Sequence, residues 1–281
     1  MVKLLGCEVN VVEMGIGPPI IFLHGNPDSS QLWKPVASAL KHSHRCIVPD
    51  LPGFGRSSAT PNFNYTLAGL AGFVEALYLA LDLQEPVHLV GHDFGGVAAA
   101  AWMAAHPGRV RSFTVCNAAF STAYRWHYWA RIWRTPFVGE LSMLTMNRFG
   151  FGLELRRGSR NLTREHIDST YAVVTPQMKQ SVLKLYRAVR QASFAGWEER
   201  YLQAAKKIPV LVLWGEGDPY IPAAMAETFG ARRIIKFPGA GHWLPAVETE
   251  RMTQEIQSFV QSAAERSGKA HPKSSLSTGV I

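Results

Sequence analysis

The stretch Leu89-Val90-Gly91-His92-Asp93-Phe94-Gly95-Gly96 decides how the chain folds. Its first half completes an apolar run over residues 87–91, and its second half opens an alanine-rich helical pattern over 95–105. A polar residue at a strand-to-helix junction, with a glycine two positions before it and another two after, fits a nucleophile elbow. The turn there is sharp, and glycine on either side lets strand and helix approach with no side chain between them. The apex residue is Asp93 instead of serine, and no G-x-S-x-G occurs elsewhere in the sequence. A hydroxyl suits attack on an acyl carbon. A carboxylate can instead displace a leaving group from saturated carbon, giving a covalent alkyl ester. Water must then cleave that ester at the aspartate's own carbonyl, a step that needs a base and an oxyanion hole.

Outward from the elbow, β-rich runs at residues 19–24, 45–49, 112–116, 209–214 and 233–237 alternate with helical patterns near 31–41, 65–81, 223–229 and 248–264. This alternation predicts an α/β fold with a mostly parallel central sheet flanked by helices on both faces, and residues 7–12 add an antiparallel edge strand. Residues 120–205 break the rhythm. They carry helical patterns, including one over 179–195, no convincing strand, and a concentration of Trp126, Trp129, Trp133, Tyr124 and Tyr128. The expected organisation is therefore a core of residues 1–119 and 206–264, a helical cap over 120–205 inserted after the sixth strand, and a flexible tail over 265–281.

The base and the oxyanion hole have candidates. Phe237-Pro238-Gly239-Ala240-Gly241-His242-Trp243 follows the last strand run and places His242 on a glycine-rich loop. Loops at the carboxyl ends of parallel strands are where open α/β sheets keep their sites. The run at 209–214 ends in Gly215-Glu216-Gly217-Asp218-Pro219, so Asp218 can accept from the His242 ring and fix its tautomer, with Glu216 a less favoured competitor. The order nucleophile, acid, histidine is the one this geometry expects. Phe22-Leu23-His24-Gly25-Asn26-Pro27 ends an earlier strand, and the backbone N–H groups of Asn26 and Phe94 would form the oxyanion hole. His24 reads as a brace for that loop, and Asp50 and Arg56 in DLPGFGRS read as structural.

HGNP, DLPGFGRS, GHDFGG, GEGDPYIP and GHW, in this order and spacing, resemble the α/β-hydrolase fold, and Asp93 at the elbow places the resemblance on the epoxide hydrolase and haloalkane dehalogenase branch. The resemblance implies that Asp93 attacks carbon and that His242, oriented by Asp218, activates water to release the product. It leaves the leaving group open. Epoxide hydrolases of this branch protonate the epoxide oxygen with cap tyrosines, and Tyr186, 56 residues before His242, stands close to where one is placed. Tyr128 or His127 is a candidate for the second, and Trp129 is a further candidate contact. Haloalkane dehalogenases hold the halide with a Trp directly after the nucleophile, joined by the Asn of HGNP or by another Trp. Here Asn26 fits that pattern and Phe94 does not. A fluoroacetate-type site would place arginines after the nucleophile, where Phe94 and Val97 stand. Epoxide opening therefore ranks first and halide displacement second. A non-catalytic small-molecule binding protein or a cofactor-free oxygenase on the same fold ranks third; a non-catalytic binding module would not need Asp93, Asp218 and His242 together.

Composition narrows the partners. The 281 residues are 47% apolar and 18% charged, with a net charge of +8 that invites a nucleic-acid reading. The excess is local. Residues 121–165 hold eight Arg against three Glu, and Arg266, Lys269 and Lys273 account for the remainder. The expectation is a small apolar substrate, an epoxide or haloalkane, with no nucleic acid and no membrane, and a monomer or homodimer. Three cysteines without a C-x-x-C pair argue against a disulfide scaffold. The N-terminal MVKLLGCEVNVVE has no signal-peptide apolar region and no run reaches membrane-span length, so a cytoplasmic location is expected. No ligand cluster, P-loop or dinucleotide fingerprint is present in the sequence, so neither metal nor organic cofactor is expected.

Overall fold

The computed structural model describes residues 1–270, with side chains through Glu265. The chain opens on a hairpin, β1 (Val2–Leu4) with β2 (Cys7–Val9), and then enters a seven-stranded sheet. That sheet comprises β3 (Val11–Met14), β4 (Pro19–Leu23), β5 (Arg45–Pro49), β6 (Val87–His92), β7 (Val110–Cys116), β8 (Val210–Gly215) and β9 (Arg233–Phe237). Its spatial order is β3-β5-β4-β6-β7-β8-β9. Only the edge pairing of β3 with β5 is antiparallel.

Parallel strands covered on both faces are nearly continuous apolar runs, and β4, β6 and β8 are buried at every position, with His88 and His92 of β6 hydrogen-bonded inside. Alternation then sends successive side chains to opposite layers. Ile21, Leu23 and Leu89 pack beneath α2 (Leu67–Ala80) and α3 (Phe94–Ala105), whereas Ile20, Phe22 and Val90 pack against α1 (Lys34–Leu40) and the C-terminal helix. The run Ala98–Ala101 in α3 is fully buried, which lets the helix lie close on the sheet. Alanine also has the highest helix propensity, so packing and local preference agree.

Between β7 and β8 lie α4 (Tyr128–Arg134), α5 (Val138–Thr145), α6 (Arg148–Gly158), α7 (Arg164–Ala172), α8 (Pro176–Ala188) and α9 (Trp197–Ala205). After β9 come α10 (Leu244–Val247) and α11 (Thr249–Ala270). None of the described helices is long and apolar enough to cross a membrane.

Three boundaries differ from the sequence reading. The helical insertion leaves after β7, the seventh strand in the chain and not the sixth; residues 2–14 form three short strands, β1 to β3, where the sequence suggested a single edge strand. Helix α9 falls inside the expected cap but packs on α3, with the Tyr201 ring against Phe113 and Phe229 and its hydroxyl donating to Phe229 O at 3.1 Å. Burying that aromatic face against the sheet layer decides where α9 belongs. Finally, α11 runs on to Ala270, past the expected start of the tail at 265. Ala264, Glu265 and Arg266 are good helix formers, and the first proline is Pro272. The rest of the tail, 271–281, lies outside the described residues.

Candidate active site

Strand β6 delivers Asp93 at φ 48° and ψ −123°, a strained conformation for a non-glycine residue. The glycines around it are there for room. A Cβ on Gly91 would lie 2.7 Å from Gly96 Cα, and one on Gly95 would lie 2.1 Å from Leu23 O. The loop after β4 meets the elbow from the other side, where the Asn26 backbone N–H donates to Asp93 Oδ2 at 2.8 Å. Burial pushes the Asp93 carboxyl up to about 6, despite the opposing pull of His242 and of the Asn26 and Phe94 N–H groups. His24 holds that loop: its Nε2 accepts from Leu51 N–H at 2.9 Å, which leaves Nδ1–H to donate to Gly25 O at 2.8 Å.

His242 follows β9, and its Nδ1 meets Asp218 Oδ2 at 2.7 Å. Burial alone would lower this imidazole, but the Asp218 charge and hydrogen bond outweigh it and the net shift is upward. Asp218 is itself oriented: Asn117 Nδ2 donates to its Oδ2 at 2.8 Å, and the N–H groups of Tyr220 and Ile221 donate to its Oδ1 at 2.7 and 3.1 Å. Glu216 is exposed and takes no part. The histidine loop is pinned from two directions. His242 N–H donates to Gly158 O at 2.8 Å, and His92 Nε2–H donates to His242 O at 2.9 Å. Beside it, Trp243 Nε1–H donates to the buried Asp28 Oδ2 at 2.8 Å.

Asp93 and His242 open into a cavity of about 350 Å³ whose walls are apolar and largely aromatic, with Phe94, Trp126, Tyr186 and Trp243 among them. Tyr186, on α8, is buried and stands edge-on to Phe94 at 4.9 Å between ring centroids. Burial and then the Asp93 charge hold its phenol well above the usual range, so it stays protonated. Two other tyrosines line the cavity, but their hydrogens are committed. Tyr124 donates to Tyr220 O at 3.1 Å, and Tyr220 donates to Glu154 Oε1 at 2.9 Å. Tyr186 instead meets His127 Nε2 at 3.4 Å. His127 caps α4, its Nδ1 accepting from Ala130 N–H at 3.3 Å. Burial pushes this imidazole down to about 3, so it is neutral, and an accepting Nδ1 leaves its one proton on Nε2. His127 therefore donates to the Tyr186 oxygen and does not accept the phenol hydrogen, and the Asn26 side chain, which also lines the cavity, is the other hydrogen-bond partner of that hydroxyl.

Of the cap residues singled out from sequence, Trp129 lines the cavity and Tyr128 does not. Tyr128 is 64% exposed because it begins α4 on the outward side, while its neighbour His127 turns inward as the cap. Sequence reasoning also missed Asn117 and His92. Asn117 directly follows β7, and a polar residue at the carboxyl end of a parallel strand was the available signal. Among the described residues no group of His, Cys, Asp and Glu side chains is placed to hold a metal ion.

An Asp on a strand–helix elbow, a backbone N–H on its carboxylate and a carboxylate-paired histidine over one cavity form the constellation of a hydrolase. The chain belongs to the alpha/beta hydrolase fold family, whose model matches residues 18–249. Within it the chain falls on the dehalogenase-like branch and is a hydrolase. It is 31% identical to a haloalkane dehalogenase of Mesorhizobium japonicum over 92% of this chain and 90% of that one. It is 24% identical to a cis-3-alkyl-4-alkyloxetan-2-one decarboxylase of Shewanella oneidensis over 96% and 91% of the two chains. The crystal structure of an ancestral haloalkane dehalogenase superposes with a TM-score of 0.78 at 25% identity, covering 94% of this chain and 99% of the other.

Proposed function

We propose that Asp93 is the nucleophile of a two-step hydrolysis and that the leaving atom is an oxygen held in a strained ring, an epoxide above all. Asp93 Oδ2 is held by the Asn26 N–H, so Oδ1 attacks the ring carbon while the C–O bond breaks. Tyr186 gives its proton to the departing oxygen. His242, its Nδ1–H tied to Asp218, then takes a proton from water through Nε2, and the hydroxide attacks the Asp93 carbonyl carbon. The N–H groups of Asn26 and Phe94 receive the oxyanion, the ester collapses to a diol and a carboxylate, and the proton taken from water returns to the Tyr186 phenolate. Helices α4–α8 act as the cap that closes the cavity. The observation that carries this reading is the buried, protonated Tyr186 phenol, which lines the cavity beside Asp93 with His127 and the Asn26 side chain as its polar contacts. The oxetan-2-one ring in one relative's name is likewise a strained C–O ring.

Halide displacement is the second reading. It is favoured by the buried indole N–H groups of Trp126, Trp129 and Trp133, which line the cavity without a hydrogen-bond partner among the described residues, and by the haloalkane dehalogenase relatives. A panel of terminal epoxides and bromoalkanes, run with the wild type and Tyr186→Phe, separates the two. Diol formation that falls by about a hundredfold in the variant supports the epoxide reading. Halide release without diol, indifferent to the substitution, replaces it with the second.

A further inference from the structure

Seven of the eleven large apolar side chains exposed among the described residues lie between Tyr128 and Leu153. Phe137, Leu141 and Leu144 recur at helical spacing along the outside of α5, and Phe149 and Leu153 do so along α6. Leu144 and Phe149 are 80% and 77% exposed. The opposite sides of the same two helices line the cavity through Met143, Met146 and Phe151. Thr145, Asn147 and Gly150 line the cavity and are exposed as well, so its mouth opens between Leu144 and Phe149. Exposed apolar side chains gathered on two successive helices in this way mark an interaction surface.

Charge selects the occupant. The segment 121–165 carries eight Arg and three Glu, with no Lys or Asp. Arg131, Arg156 and Arg160 are exposed and have no acidic partner among the described residues. A second copy would bring the same positive charge against this face, and a nucleic acid would leave the aliphatic side chains unmatched. Anionic headgroups satisfy the arginines while the acyl boundary takes Phe and Leu. We propose that the α5–α6 face seats peripherally on an anionic lipid bilayer, its apolar side chains entering the headgroup–acyl boundary and the arginines holding the headgroups. The cavity mouth then faces the lipid phase.

The full-length protein is mixed with vesicles of phosphatidylcholine alone or with roughly one-third phosphatidylglycerol, and binding is read by co-sedimentation. The wild type binds the mixed vesicles, less so in added salt, and does not bind phosphatidylcholine. The double variant Leu144→Ser/Phe149→Ser binds about tenfold more weakly. Neither residue lines the cavity, so circular dichroism and Tm stay as in the wild type. A second double variant, Lys269→Gln/Lys273→Gln, removes C-terminal charge and retains binding. Absence of wild-type binding, unchanged binding in Leu144→Ser/Phe149→Ser, or loss of binding only in the lysine variant each overturns the proposal. So does a wild-type dimer that ignores vesicles and falls apart in the Leu144→Ser/Phe149→Ser protein, which assigns the face to a second copy.

Discussion

His127 Nε2 and the Tyr186 hydroxyl meet at 3.4 Å, and the backbone of α4 fixes the direction of the bond. Because Nδ1 accepts the capping N–H of Ala130, the imidazole has only Nε2–H to offer. Structure at a helix end thus sets the orientation of a proton in the cavity.

Two substitutions separate the cap from the donor. In His127→Asn the side-chain oxygen still caps α4, but nothing reaches Tyr186. In His127→Gln an amide N–H takes the place of Nε2–H while the cap is lost. Ester formation with an epoxide should fall about tenfold in the Asn variant at unchanged Tm. The Gln variant should keep the rate and lose about 1 kcal/mol of stability. A bromoalkane, whose leaving ion needs no proton, should be insensitive to both. Equal epoxide rates in the two variants, measured by rapid quench, would remove His127 from the proposed mechanism.

Asp93 is held at a cost to the fold, and replacing it should stabilise the protein. Its carboxyl rises from 3.8 to about 6 on folding, chiefly through burial. A raised carboxyl pKa means that the folded state binds the proton more tightly. The associated stability is complete below the unfolded value and is lost as pH rises through about 6. The loss comes to roughly 3 kcal/mol at neutral pH, taking about 1.4 kcal/mol per pH unit. Asp93→Asn keeps the shape and an acceptor for the Asn26 N–H without the charge. Its Tm should exceed that of the wild type by several degrees near pH 7.5, and the gap should close near pH 4. A gap independent of pH would place the effect in packing or in the φ of 48° instead.

The elbow is legible in sequence because its signature is local, a strand run, a polar apex and a helix pattern within a few residues; of its glycines, Gly91 makes room for the helix at Gly96, while Gly95 and Gly96 make room for Leu23 and Ala118 from neighbouring segments. Asp218 and His242 are legible for a related reason, since each sits a few residues beyond a short β-rich run, fully buried in β8 and partly buried in β9. Asn117 is different. It bonds Gly215 and Asp218 across 98 and 101 residues, and the contact exists only because β7 and β8 are neighbours in the sheet. Tyr128 illustrates the other limit. Whether residue 127 or 128 turns inward depends on the first residue of α4, and aromatic composition alone does not locate a helix end to one position.

Removing the proposed base should stop the reaction at the ester and reveal the leaving group. With His242→Gln, ester formation proceeds and hydrolysis does not, so intact-mass analysis should find one modified carboxylate per chain, at Asp93. An epoxide adds its whole mass, because the ring oxygen stays attached as a hydroxyl. A bromoalkane adds only the alkyl group in exchange for a proton. The wild type should show the same ester transiently and in a defined window of pH. Formation needs ionised Asp93 and fades below about pH 6. Hydrolysis needs neutral His242, whose pKa is raised by Asp218 against burial, so this step fades from a higher pH. Esterification removes the Asp93 charge that adds to the shift, while the larger contribution of Asp218 remains. Just above pH 6 the first step should therefore outrun the second, and the ester should accumulate in quenched steady-state samples. An adduct that persists in His242→Gln but maps to a residue other than Asp93 would overturn the assignment of the nucleophile, whatever the substrate.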